Sequence, residues 1–308
     1  MKGFLSAIVT SGAVLAAAGP LGAAISIDGF TAAENDRFAN NPSYVANAYD
    51  MSPVGRALSG GAGKGGHWAT LISSNVVITA DHYHAGTGQT LYFYPGNDPG
   101  ASPVTRTITS GMQIGSTDLW LSVLDSPVTP SISVASYATE TLTEANFSLS
   151  TINLQNAFLN GITPTAGGYG SDRRTSQATG RNVIEDFSED LTLSGNTTDV
   201  LITIDNQGID PNYVSYEAQL AGGDSGAPLF IDSGGELLLV GIAWAIGEVD
   251  IDPGPGETLR DASVFSYVGN YSAEIDAFIS ANAVPEPSPL LFLITGAIPL
   301  LLLRRKRG

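Results

Sequence analysis

His67-Trp68-Ala69-Thr70-Leu71-Ile72-Ser73-Ser74-Asn75-Val76-Val77-Ile78-Thr79-Ala80-Asp81-His82 is two apolar runs around a polar turn. Short runs of this kind, rich in β-branched residues and bounded by Ser and Asn, read as a pair of strands joined by a turn. The same pattern recurs outward along the chain. Leu91-Tyr92-Phe93-Tyr94 stops at Pro95-Gly96, and Leu119, Leu121 and Val123 alternate with Trp120 and Ser122. Glu236 to Ala243 is a nearly continuous apolar strand after the turn Ser233-Gly234-Gly235. Many short strands with frequent turns predict an all-β body, a sandwich or barrels. One amphipathic stretch, Tyr271 to Ala281, sets Ile275, Phe278 and Ile279 on one face and predicts a helix near the end of the body. Ala24 to Asp50 is polar and poorly patterned, and reads as an extended arm.

Composition bounds the chemistry. The chain has 308 residues, 43% of them hydrophobic, enough for a packed core in one large or two small domains. The absence of cysteine excludes disulfides, thiolate metal sites and a cysteine nucleophile. Thirty acidic residues against 13 basic ones give a net charge of −17, and no basic stripe is present to meet the phosphates of a nucleic acid. No cofactor is indicated.

The two ends read differently from the body. Lys2, the uncharged apolar run Phe4 to Ala18 and the small residues Gly22-Ala23-Ala24 have the layout of a secretory signal peptide, residues 1–24. A buried or membrane helix is the other reading. At the far end stand Val284-Pro285-Glu286-Pro287, the apolar run Leu290 to Leu303 and Arg304-Arg305-Lys306-Arg307. These three parts, in this order, resemble the PEP-CTERM sorting signal of bacterial exported proteins. The resemblance implies a Gram-negative envelope and removal of residues 284–308 by an exosortase-type enzyme; an ordinary tail anchor is the alternative. In either case the body lies outside the inner membrane, and contact with the membrane is through this segment alone. The body then comprises the arm, 25–50, and a domain, 51–283. It keeps 8 of the 13 basic and 29 of the 30 acidic residues, a balance of −21.

Only three histidines are present, His67, His82 and His84. With no cysteine, a nucleophile must be Ser, Thr, Lys or a carboxylate. In Gly222-Gly223-Asp224-Ser225-Gly226-Ala227-Pro228, a serine stands between glycines that permit a tight turn and free the neighbouring amides to face a developing oxyanion. Taken alone, the segment also reads as a surface turn. His82 ends an apolar strand, which positions it as a general base must be positioned, although a lone histidine there is equally a solvated turn residue. Asp118, in Ser116-Thr117-Asp118-Leu119, heads a strand and is either buried against the histidine or an ordinary surface acid.

Together the three segments resemble the trypsin/chymotrypsin family over about Gly55 to Ser280. Thr-Ala-x-His, Asp-Leu-x-Leu and Gly-Asp-Ser-Gly-x-Pro occur in the family's order. Trp68-Ala69-Thr70-Leu71-Ile72, Val240-Gly241-Ile242-Ala243-Trp244 and Ser263-Val264-Phe265-Ser266-Tyr267-Val268 match further strands. The resemblance implies two antiparallel six-stranded β-barrels with a C-terminal helix, and a site in the cleft between them. It implies Ser225 as nucleophile, His82 as base and then acid, Asp118 as the group orienting His82, and the amides of Gly223 and Ser225 as the oxyanion hole. The activity implied is that of a serine endopeptidase on a protein or peptide substrate. A protease fold that has lost activity and serves as a surface binding module is the alternative. An esterase is set aside, because the order Ser…Asp…His and a Gly-x-Ser-x-Gly elbow at Ser225 are both missing.

The chain departs from the family in several places. Asp81 and Tyr83 flank His82 where Ala and Cys are usual, and a carboxylate in contact with the ring would favour its protonated form. His84 is a competing base. Ala227 stands where Gly is usual. No Ile-Val-Gly-Gly start is visible, so the expected chain needs no zymogen cleavage; the alternative is a pair between a freed Ile25 and Asp224. Gln219 stands six residues before Ser225, where trypsin-like members carry an acid at the base of the primary pocket. With Leu220 and Ser263 it predicts a neutral pocket that takes a small or apolar side chain, with Asp261 close enough in sequence to add an acid. The run Glu248-Val249-Asp250-Ile251-Asp252 reads as a solvated acidic loop, with Ca²⁺ binding as the other possibility.

Overall fold

The computed structural model describes residues 24–58, 66–151, 153–164, 173–206, 210–250 and 259–283. The expected signal peptide before Ala24, the expected sorting tail 284–308, and Ile251 and Asp252 of the acidic run lie outside the described residues. Among the described residues no helix is long and apolar enough to cross a membrane. The strands are β1 (Ser26–Ile27), β2 (Val54–Ala57), β3 (His67–Leu71), β4 (Val76–Ala80), β5 (Thr90–Phe93), β6 (Val104–Gln113), β7 (Leu119–Leu124), β8 (Ser136–Tyr137), β9 (Ala157–Gly161), β10 (Ala178–Asn182), β11 (Ile184–Leu193), β12 (Asn196–Ile204), β13 (Ala218–Gln219), β14 (Pro228–Ser233), β15 (Glu236–Asp250) and β16 (Leu259–Tyr267). A one-turn helix α1 (Ala32–Asn35) lies in the arm, and α2 (Ser272–Asn282) ends the body.

The opening stretch forms β3 and β4, antiparallel neighbours in a closed barrel of order β2-β3-β4-β7-β6-β5. Both strands are largely apolar because both of their faces are buried; Thr70 and Thr79 are the buried polar exceptions. Alternation sends Ala69, Leu71 and Val77 inward, where they meet Ala57, Leu91, Phe93, Ile108 and Leu124 from the other four strands. It sends Trp68, Val76, Ile78 and Ala80 outward, into a core shared with Leu159, Leu229, Ile242 and Phe265 of the second sheet. Each such fully buried large side chain contributes roughly 1.5–3 kcal/mol.

The second sheet runs β10-β9-β14-β15-β16-β12-β11, with β8 added parallel to β15. By its hydrogen bonds it is a half-barrel, not the closed barrel of six that the family resemblance implies. Its two ends, however, are halves of one run of chain: β10 stops at Asn182 and β11 starts at Ile184, with only Val183 between. The bend there turns the backbone from pairing with β9 to pairing with β12. Leaving β8 aside and counting passes of chain, the sheet therefore has the six that were expected, joined around the corner by the chain itself instead of a ladder. Two barrel-like antiparallel sheets and a short C-terminal helix are the chymotrypsin-like architecture. Helix α2 seats Ile275 in the shared core, with Phe278 and Ile279 half-buried against it.

The arm is packed across both sheets. Ser26 and Ile27 pair with Gln219 and Ala218, adding β1 to β13. Arg37 is fully buried and donates to Val54 O, Tyr94 O, Gly96 O and Asn97 Oδ1 around the first barrel and to Gln177 Oε1 beside the second. The Tyr44 hydroxyl and Thr179 Oγ1 share a 2.6 Å hydrogen bond, and Asn35 Nδ2 donates to Thr179 O.

Candidate active site

Strands β4 and β7 are antiparallel, with Ala80 opposite Leu119. The next residues out are Asp81 on one strand and Asp118 on the other, and the Asp81 N–H donates to Asp118 O at 3.2 Å. That register brings His82 over Asp118. The His82 N–H donates to Asp118 Oδ1 at 3.0 Å, and His82 Nδ1 lies 2.9 Å from Oδ2 and 3.0 Å from Oδ1. Asp118 is 0% exposed, whereas the His82 side chain is 35% exposed. The buried carboxylate is therefore fixed by hydrogen bonds while the ring keeps one edge open.

Ser225 comes from the second sheet. The loop carrying it is pinned at one end by the Leu220 N–H, which donates to Ser263 Oγ on β16 at 2.9 Å. At the other end the Gly226 N–H donates to Ala243 O on β15 at 2.9 Å, and the Ala243 N–H to Ala227 O at 2.8 Å. Gly226 has φ +83, and a Cβ there would come within 2.5 Å of Thr79 Oγ1. Only glycine lets this loop lie so close to β4. The result is a 2.9 Å contact between Ser225 Oγ and His82 Nε2 across the boundary between the two sheets. The methyl of Ala227 is accommodated in the shared core.

The amides of the loop divide into two sets. Those of Asp224, Gly226 and Ala227 donate to Ala221 O, Ala243 O and Asp224 O. Those of Gly222, Gly223 and Ser225 have no acceptor among the described residues. Asp224 is fully buried, its carboxylate accepting from the Ile162 and Ala221 N–H groups at 2.7 and 2.9 Å. Burial pushes it up to about 7, against the opposing pull of those two amides and of the Arg56 charge. Ile25 lies beside it: a Cβ on Gly161 would be 2.5 Å from Ile25 Cβ and 2.8 Å from Asp224 Oδ1.

Gln219, Leu220 and Ser263 are brought together at the root of the loop. The Ser263 hydroxyl donates to Gln219 Oε1 at 2.6 Å. Gln219 Nε2 is buried and has no partner among the described residues. Asp261 is exposed and opposite Glu248 on the outer part of the β15–β16 hairpin, away from this group. His84 does not reach Ser225; its ring stacks on Trp120 at 4.0 Å, and Nδ1 lies 3.2 Å from Ala85 O. His67 packs on Tyr83 and is pushed down to about 4, first by burial and then by the charges of His84 and Arg56. Among the described residues no group of three metal-ligating side chains is gathered.

Two residues at the site were not found by reading the sequence. Asn196 Nδ2 donates to Asp118 Oδ1 at 3.1 Å and to Asp81 Oδ2 at 3.2 Å, and the Asp118 N–H donates to Thr198 Oγ1 at 2.8 Å. Both belong to the start of β12. Their only signal in the sequence is that Ser194-Gly195 makes a hairpin turn before them, which says nothing of what the hairpin touches. The arrangement as a whole can pass a proton from Ser225 Oγ to His82 Nε2 while Asp118 holds the Nδ1 side of the ring.

Neither a scan of protein families nor a search of curated proteins finds a match to the chain. Among solved structures it is similar to a mutant of human heparin binding protein, with 18% identity and a TM-score of 0.48 over 77% of this chain and 95% of that one.

Proposed function

We propose that the body of this chain is a serine endopeptidase that works outside the inner membrane of a Gram-negative cell. The observation that carries this reading is the hydrogen-bonded series Asp118–His82–Ser225, with 2.9 Å at both of its junctions. Ser225 Oγ attacks the substrate carbonyl and passes its proton to His82 Nε2. The carbonyl oxygen becomes an oxyanion facing the free amides of Gly223 and Ser225. Collapse expels the amine, which takes the proton from His82, and leaves an acyl-Ser225. Water, deprotonated by His82, then releases the acid and restores the hydroxyl. Asp118 keeps the ring oriented and stabilises its protonated form. Gln219, Leu220 and Ser263 make a neutral pocket for the residue before the cut, one that disfavours Arg and Lys. The signal-like start exports the chain, and the tail is the substrate of an exosortase-type enzyme.

Labelling by a fluorophosphonate probe tests this reading. The purified chain is expected to label once, and both Ser225→Ala and His82→Ala to abolish labelling. An unlabelled wild-type chain, folded by circular dichroism, would instead favour an inactive protease fold used for binding.

A further inference from the structure

We propose that Asn196, a residue of the second sheet, is a positioning residue that sets the Asp118 carboxylate for His82 and holds Asp81 off the ring. The inference rests on the serine-hydrolase reading of Ser225. It starts from a turn. Ser194 and Gly195 have φ of 53° and 94°, a two-residue hairpin turn of the twisted kind that joins β11 to β12 with Leu193 opposite Asn196. That hairpin reaches the first barrel. The Thr197 N–H donates to Ser116 O at 2.8 Å, and Thr198 Oγ1 accepts from the Asp118 N–H. From the first barrel, Gln113 Nε2 donates to Thr117 O at 2.8 Å and to Asn196 Oδ1 at 3.1 Å.

The Gln113 bond decides the orientation of Asn196. Its oxygen is taken by a donor, so its NH₂ faces the two carboxylates, one N–H for Asp118 Oδ1 and one for Asp81 Oδ2. An amide cannot relay charge, but it can fix two like charges in separate directions. Without it, Asp118 Oδ1 keeps only the His82 N–H and ring Nδ1 as partners, so the carboxylate is less firmly set toward Nδ1, and Asp81 is free to approach the imidazole. The ionisable groups near His82 include Asp81, Tyr83 and His84 on its own loop, Asp118 ahead of β7, His67 at the start of β3, Arg56 on β2, whose charge acts on His67 and Asp224, and the buried Asp224 beside Ser225. The β12 hairpin contributes only uncharged groups at this point, Asn196 and Thr198.

Two measurements on the purified chain test the proposal. One is the pH profile of the fluorophosphonate labelling rate. The other is the low-field proton resonance of the His82 Nδ1–H, which reads ring protonation whether or not Ser225 reacts. Asn196→Ala, and the near-isosteric, uncharged Asn196→Leu in case the alanine variant does not fold, should slow labelling by on the order of ten- to a hundredfold at neutral pH. Both should also move the titration of the ring to higher pH, since uncompensated carboxylates favour the protonated imidazole. Asp81→Asn added to Asn196→Ala should return the titration toward its wild-type position without restoring the rate. Thr197→Ala, on the same hairpin, should change neither. A wild-type titration in both Asn196 variants overturns the proposal. A chain that does not label, yet whose resonance shifts as described, overturns the hydrolase reading and leaves the positioning role standing.

Discussion

Asp224 is a buried acid one residue before Ser225, and its folded-state value of about 7 stands above the ordinary 3.8. Between those values the native state binds more protons than the unfolded chain, so stability falls as pH rises through this window. Glu217, raised by burial to about 7 from 4.5, has the same sign. Denaturation midpoints measured between about pH 4.5 and 8 should therefore descend toward pH 7, and Asp224→Asn should flatten the descent. A chain whose first residue is Ile25 brings an ammonium beside the same carboxylate and should lose the Asp224 part of the slope. An equal slope in all three forms would show that Asp224 is ionised throughout. At this scale the sequence was legible where a residue stands at the edge of a pattern. His82 closes an apolar strand, Asp118 opens one, and Ser225 is framed by glycines whose backbone angles it needs. Asn196 and Thr198 were not legible, because their role arises only when two sheets dock and no local period records that event.

Among the elements, the arm shows what local patterning misses. Ile25 and Ile27 alternate with exposed Ser26 around β1, but the later buried residues, Asn35, Arg37, Phe38, Tyr44 and Ala46, follow no sustained helical or strand period, because they face whichever sheet the chain is crossing. Arg37 is the extreme case. Its guanidinium is held down to about 10 by burial, and its hydrogen-bond acceptors are three backbone carbonyls and the side chains of Asn97 and Gln177. Arg37→Met should destabilise the fold by roughly 3–5 kcal/mol, because the acceptors left behind remain buried. Arg37→Lys keeps the charge with fewer and differently directed donors, and should lose less. Urea denaturation of the two variants checks the order; equal losses would mean that the charge, not the fork of donors, is what the arm supplies. The helix α2 was legible in full, since Ile275, Phe278 and Ile279 pack on one side as their spacing requires. The strand broken at Val183 was not, because Ala178-Thr179-Gly180-Arg181-Asn182 carries no apolar alternation against which a change of partner at Val183 could be seen.

For the molecule as a whole, charge and architecture act separately. A body carrying −21 attracts cationic chains and repels anionic ones over a Debye length. Cleavage of a peptide with Lys or Arg placed outside the primary pocket should fall several-fold in kcat/KM between about 10 mM and 1 M salt, and that of an acidic peptide should rise. Two curves of the same slope would exclude steering by the surface. The closed first barrel and the helix agree with the architecture expected from the strand pattern and the family resemblance, while the half-barrel differs in how its last edge is joined. The division of the site between the sheets has a further consequence in time. His82 and Ser225 are 143 residues apart, and the Asn196 contact to Asp118 spans 78. Loops of that size close late, after each sheet has gained most of its own contacts. For the exported endopeptidase proposed above, an extended chain in transit through a membrane would hold all the reacting groups and none of their geometry. On that reading the cell is shielded by topology, and chemical competence is among the last things the chain would acquire.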